Sequence, residues 1–225
     1  MPRNIEEMVS HQVQLSELAK RSEIGKGHEC ENAVVTISRR MGSGARIVAQ
    51  KLSEELGWSL WDKDLVNAMA ENAQVSQKVV RAFDEHTLSE IELFAHGMFG
   101  DSEMAGFIYP RHLARAVKSI AKLGDAIILG RGANLLLPDS LKVRIDASDE
   151  RRIENMMRYE DLTHDQAVAR LHESDRDREH FLTSVYGKER VEHPVYDLTI
   201  WMDHISNDAA VRMIKVAIED RCGRS

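Results

Sequence analysis

Three observations predict an α/β fold of three layers, a parallel sheet between two layers of helices. Five short apolar runs rich in β-branched residues alternate with longer stretches of helical period, the pattern of strands joined by crossover helices. The first run passes through a glycine turn directly into a helix. The length, 225 residues with 43% hydrophobic content, suits one such domain with an insertion or an appendage and gives it enough apolar matter for a core.

Ile5, Met8, Val9, Val13, Leu15 and Leu18 recur at helical spacing, and the stretch SEIGKGHECEN that follows is polar and glycine-bearing, as linkers are. Residues 1–32 are therefore expected to be an N-terminal helix and linker. They would pack on the body or on a second subunit, and the second alternative allows a homodimer. Residues 33–225 form the main domain. AVVTIS is its first strand, apolar on both faces as a central parallel strand should be. Gly42-Ser43-Gly44 ends the strand. ARIVAQKLSEELG then places Ile47, Val48, Leu52 and Leu56 on one helical face, with Gly57 as its stop signal. WSLWD is the second strand and KDLVNAMAENA the next helix. Residues 75–110 read as an irregular helical insertion, broken at Gly97, Gly100 and Gly106 and suited to covering a substrate. RHLARAVKSIAKLG leads into the third strand, DAIILG. After the short helix RGANLLL comes the fourth strand, LKVRIDA. SDERRIENMMRY starts with Ser148 as N-cap and with Asp149 and Glu150 in its first turn, where acidic groups favour the helix dipole. A long charged helix, LTHDQAVARLHESDRDREHFLTSVYG, precedes the fifth strand, YDLTIWMD, and a last helix closes the chain.

The balance of charge is acidic, with 30 Lys and Arg against 37 Asp and Glu. General binding to DNA or RNA demands a basic face, so it is not expected. The apolar runs are too short to span a bilayer and the N-terminus lacks the apolar core of a signal peptide, so a cytoplasmic protein without a membrane partner is expected. Cys30 and Cys222 lie near opposite ends of the chain and are expected to be idle thiols. His164, His172, His180 and His193 lack the close spacing of a zinc site. Trp58 and Trp61 flank the second strand; either would serve to stack a base, but burial against a helix is the commoner fate.

A strand, a glycine turn and a helix start make a phosphate-binding loop. Backbone N–H groups point at the phosphates and the helix dipole favours the negative charge. Such a loop usually adds a lysine and then a Ser or Thr that ligates Mg²⁺, whereas Ala45, Arg46 and Ile47 stand here. Arg46 in the first helical turn, and Arg39 and Arg40 before the glycines, are the alternative sources of positive charge, since a guanidinium grips two phosphate oxygens at once. Ser43 and Ser38 are the remaining hydroxyls for Mg²⁺ or phosphate. On its own, the same stretch is also consistent with a plain turn edged by solvated arginines.

The stretch ILGRGANLLLPDSLKVRIDASDERRIENMMR resembles the cytidylate kinases in the segment that carries their GRD…P…LK…L.AS.EER pattern. A closer resemblance is to the cytidylate kinase-like family, through Ile37-Ser38-Arg39, Gly42-Ser43-Gly44, Asp62-Lys63-Asp64-Leu65, Gly130-Arg131-Gly132-Ala133, Asp175 with Arg178, Gly187-Lys188 and Tyr196-Asp197-Leu198. It covers roughly residues 33–217. The sequence departs from the cytidylate kinases at Ala45 and Ile47, and at Gly132, where they carry an acidic residue.

The resemblance implies a P-loop kinase fold with a helical lid over residues 160–193, and ATP-dependent phosphoryl transfer with Mg²⁺ to a nucleoside monophosphate or a similar small acceptor. Arg39 and Arg46, with Ser38, Gly42, Ser43 and Gly44, would hold the donor phosphates. Ser43 would meet Mg²⁺. Asp62 and Arg131 would bind the acceptor, although Asp62 is as well suited to capping a helix. Arg46, with Arg176 and Arg178 from the lid, would serve catalysis, and Asp175 and Asp177 would hold the lid arginines. Lys188 and Arg190 are weaker lid candidates. Against the enzyme stands a nucleotide- or anion-binding regulatory module with a degenerate loop.

Overall fold

The computed structural model describes residues 4–23, 33–100 and 105–223, with only the backbone at 19–23 and 105–107. Five parallel strands, β1 (Val34–Arg39), β2 (Ser59–Trp61), β3 (Ala126–Leu129), β4 (Leu141–Asp146) and β5 (Leu198–Trp201), form one sheet in the order β2-β3-β1-β4-β5. All five expected strands are present. The chain therefore crosses over between consecutive strands, and β1, β3 and β4 end together at the carboxyl edge, where sheets of this kind bind ligands.

Side chains alternate across the strands and build two cores. On one face, Val35, Ile37, Ile127, Leu129, Val143 and Ile145 pack against Val48 and Leu52 of α2 (Ala45–Leu56) and Val211 and Ile214 of α11 (Asn207–Cys222). On the other face, Ala126, Ile128 and Trp61 meet Leu65 and Met69 of α3 (Lys63–Glu71) and Leu113, Val117 and Ile120 of α6 (Ala105–Leu123). Trp58 and Trp61 are both buried. Burying one such aliphatic side chain stabilises the fold by about 1.5–3 kcal/mol.

The expectation that β1 is apolar on both faces fails on the second face. Thr36 and Ser38 are buried there and satisfied by hydroxyl and amide partners: Thr36 Oγ1 meets Ser140 Oγ at 3.1 Å, and Ser38 Oγ donates to Asn134 Oδ1 at 2.9 Å. Arg144 and Asp146 continue this polar stripe on β4. Asn134 belongs to the short α7 (Ala133–Leu136).

The N-terminal helix α1 (Ile5–Glu23) lies on the body. Val9 and Val13 enter the second core, and Gln12 Oε1 accepts the backbone N–H of Leu60 at 2.7 Å. Leu60 lies on the outer strand β2, whose free edge groups are otherwise a template for unwanted pairing. Within the insertion, α4 (Ala73–Val80), α5 (Glu85–Phe99) and α6 follow one another. Gly97 and Gly106 lie inside α5 and α6, contrary to expectation, and only Gly100 ends a helix. Most of the expected linker lies outside the described residues. So does Cys30, while Cys222 is disulfide-bonded and is not an idle thiol.

Past β4, Ser148 caps α8 (Asp149–Glu160) by accepting the Arg151 N–H. Thr163 and Gln166 form a reciprocal capping box at the start of α9 (His164–Tyr186). The short α10 (Lys188–Glu192) then leads to β5. Among the described residues no helix is long and apolar enough to cross a membrane.

Candidate phosphate-binding site

The glycine turn lies between β1 and α2. Gly42 has a φ of 78°, and a Cβ there would stand 2.6 Å from the carbonyl oxygen of Arg152, so only glycine fits against α8. Gly44 is the N-cap of α2; no side chain caps this end and its first turn holds no acidic residue. The positive end of the helix is left to whatever anion reaches the loop. Ser43 is 1% exposed, and its Oγ has no hydrogen-bond partner among the described residues. A buried hydroxyl without a partner is a deficit that a ligand oxygen or a cation would relieve.

Arginines converge beside this loop. Arg39, the last residue of β1, is largely buried; burial pushes its guanidinium down, and Arg46 and Arg131 push the same way against the carboxylates of Asp62 and Asp64. Arg178 of α9 is also largely buried. Burial, with Arg144 and then Arg39 nearby, brings its pKa down to about 10, with only partial relief from Tyr196 and Asp146. It is still charged at neutral pH, yet no carboxylate among the described residues forms an ion pair with it. Arg144 and Arg40 share Asp146: the Arg40 Nε stands 2.8 Å from its Oδ1, and Arg144 Nη2 binds its Oδ2.

Arg39 also has Asp62, Arg46 and Arg131 as charged neighbours. Asp62 caps α3 through Oδ1, which accepts the N–H groups of Asp64 at 3.0 Å and Leu65 at 3.2 Å. Its Oδ2 faces Arg46 Nη2 at 3.5 Å. The cap and the site are thus two roles of one carboxylate. Arg131 follows β3 with a φ of 56°, an uncommon conformation that tertiary contacts must hold. The Tyr186 hydroxyl supplies one such contact by donating to the Arg131 carbonyl. Arg131 Nε donates to Asn67 Oδ1 at 2.7 Å, and its guanidinium lies 4.3 Å from the centre of the Phe181 ring. Tyr109 also donates to Asn67 Oδ1, at 3.0 Å, and its ring meets Phe181 edge-on.

Arg39, Arg46, Asp62, Arg131 and Arg178 are therefore brought together, with Gly42, Ser43 and Gly44 beside them. Ser38 is close by, but its hydroxyl is spent on Asn134. Arg176 is exposed, two positions from Arg178 and so on another face of α9. Asp175 does not hold the lid arginines, because both its oxygens accept from Arg152; Asp177 is exposed. Lys188 turns to Glu192 of its own helix at 3.4 Å. Arg144, Arg152 and Asn67 belong to the arrangement and were missed. Nothing in the local sequence sets them apart, since their partners lie on other elements.

The sheet order, the two flanking helical layers and a cationic loop at the carboxyl edge define an α/β protein of the kinase fold. The sequence matches the cytidylate kinase-like family over residues 34–204, most of the chain, and the chain belongs to that family. A cytidylate kinase of Pyrococcus furiosus is 24% identical over 190 residues, which cover 83% of this chain and 88% of that protein. Among solved structures, an uncharacterized protein from Eubacterium ventriosum overlays with a TM-score of 0.54 at 19% identity, covering 83% of this chain and 98% of the other. The α1 helix precedes the region matched to the family.

Proposed function

We propose that the protein transfers the terminal phosphoryl group of ATP to a nucleoside monophosphate or a similar small phosphorylated acceptor. The observation that carries this reading is Arg178: a largely buried, charged guanidinium with no ion-pair partner among the described residues, set beside Arg39 and Arg144. Burying such a charge is costly unless an anion meets it, and a polyphosphate supplies that anion.

In this reading the N–H groups of the glycine loop, Arg39 and Arg46 hold the donor. Arg131 holds the phosphate of the acceptor, Asp62 orients it, and the Phe181 and Tyr109 rings wall its pocket. Arg178 stabilises charge that develops during transfer, the main contribution a protein makes to this reaction. No group of acidic, His or Cys side chains among the described residues is built to hold a metal by itself. This fits Mg²⁺, which keeps several waters and takes ligands from phosphate oxygens, with Ser43 Oγ as the protein hydroxyl nearest to hand. The ion would neutralise donor phosphate charge. Membership of the family and the relative named a cytidylate kinase support a nucleotide substrate. Ala45 and Ile47, in place of lysine and hydroxyl, favour a second reading in which the same site binds a nucleotide without turnover.

Thermal melts with ATP, GTP, CMP, AMP and Mg²⁺ test the proposal, because a ligand that binds the native state raises its Tm. A donor and an acceptor are each expected to stabilise, and ADP to form when both are present. Stabilisation by ATP without ADP formation for any nucleoside monophosphate would leave the binding module; no shift with any nucleotide would remove both readings.

A further inference from the structure

Arg152 lies on α8 with a side chain that is 0% exposed. Its Nε donates to the carbonyl of Met41 at 2.6 Å, inside the glycine turn. Its other two nitrogens reach α9, Nη1 to Asp175 Oδ2 at 2.9 Å and Nη2 to Asp175 Oδ1 at 2.7 Å, and Nη1 also meets Asp149 Oδ1 at 2.9 Å. One turn further along α8, Asn155 Nδ2 donates to the carbonyl of Gly42 at 2.7 Å. One buried side chain thus ties the loop to the lid helix.

A fully buried guanidinium is tolerable only while its donors and its charge are met. Asp175 supplies the paired, in-plane contact that answers most of that charge. If α9 lifts away, Arg152 loses this partner, and the arrangement that holds Met41 loses its support. Asp175 is also three residues before Arg178 on the same helical face. The docking that pairs Asp175 with Arg152 is the docking that brings Arg178 beside Arg39 and Arg144.

We infer that Arg152 is a positioning residue that makes lid docking and loop ordering a single event. It touches neither donor nor acceptor; it acts through the carbonyl of Met41 and the carboxylate of Asp175. The inference rests on the phosphoryl-transfer reading for its effect on turnover, but not for its effect on the loop.

The test uses the full chain with Asp175→Asn, Asp175→Glu and Arg152→Lys, read by hydrogen exchange at residues 40–46 and along α9, and by steady-state kinetics. Apart from Arg152, Asp175 meets this segment only at long range, with Arg40 Nη1 3.9 Å from its Oδ2. Asp175→Asn is nevertheless expected to speed loop exchange roughly tenfold, the size of a typical coupling between sites. It should lower kcat by a similar factor while the KM for the acceptor changes less than about threefold. Asp175→Glu should recover much of both. Arg152→Lys, which keeps the charge but loses the fork, should free the loop while α9 stays protected. Loop exchange equal to the parent in folded Asp175→Asn, or in Arg152→Lys should the first variant not fold, overturns the inference. A parent that shows no turnover at all defeats the proposed function instead, and the exchange measurement then still decides the role of Arg152.

Discussion

Arg46 Nη2 stands 3.5 Å from Asp62 Oδ2, while the other oxygen of the same carboxylate caps α3. The Arg46 side chain is 61% exposed, so the pair itself adds little to stability. Arg46→Ala should change unfolding free energy by less than about 0.5 kcal/mol and weaken ATP binding at least tenfold, measured by urea titration and calorimetry. Asp62→Ala should cost about 1 kcal/mol through the lost cap and raise the KM for the acceptor. Unaltered ATP affinity in Arg46→Ala would take Arg46 out of the site.

Arg178 predicts the opposite sign for stability. Its folded pKa lies below that of the free side chain, so at neutral pH the fold bears the full cost of burying the charge, and relief begins only as pH rises past the folded value. Arg178→Met should therefore raise the Tm of the ligand-free protein by about 2 °C, in buffer free of multivalent anions, while abolishing stabilisation by ATP. A fall in Tm would reveal a partner for Arg178 in the empty protein.

Asp146 governs an acid limb. Burial pushes its carboxyl up, but Arg144, Arg40 and the N–H of Ala147 outweigh that and hold it below the usual aspartate value. Its stabilisation is present above the unfolded value, near pH 4, and is lost as pH falls through the lower folded value. Asp146→Asn should cost about 2–3 kcal/mol at pH 7, and the difference from the parent should shrink below about pH 4. A constant gap between the two denaturation curves from pH 7 to pH 3 would count against this assignment.

Gly132 has a φ of 66°, and a Cβ there would overlap the ring of Tyr186. Gly132→Ala should destabilise the protein by about 3 kcal/mol, part from the left-handed backbone and part from the displaced ring. Because Tyr186 ends α9, its displacement should also loosen that helix end, visible as faster exchange at residues 181–186. Stability within about 0.5 kcal/mol of the parent would show that Tyr186 can move aside at little cost.

Much of this arrangement is legible in the sequence, and the limits follow a pattern. Ser148 was readable as a helix start because a cap and its partners lie within three residues. That Arg39, Arg46, Asp62 and Arg131 lie at the carboxyl edge was readable because each ends or closely follows a strand or opens a helix there. Arg40 looked equivalent to Arg39 but turns to Asp146, since neighbours on a strand face opposite ways. Arg176 looked equivalent to Arg178 and is left outside by the helical repeat. The polar face of β1 was hidden because Thr36 is β-branched and reads as a strand former, whatever it touches.

The sequence by itself determined the order of strands and helices, the glycine turn and the family, because these rest on periods, caps and motifs that act over a few residues. Only the tertiary structure decided which arginines are spent in pairs and which are left with charge to offer. That choice depends on carboxylates distant along the chain, Asp146 for Arg40 and Asp175 for Arg152, brought near by the parallel crossovers. Arg178 keeps much of its charge unanswered because the same packing brings it Arg144 and Arg39, while the nearby Asp146 is already shared by Arg144 and Arg40.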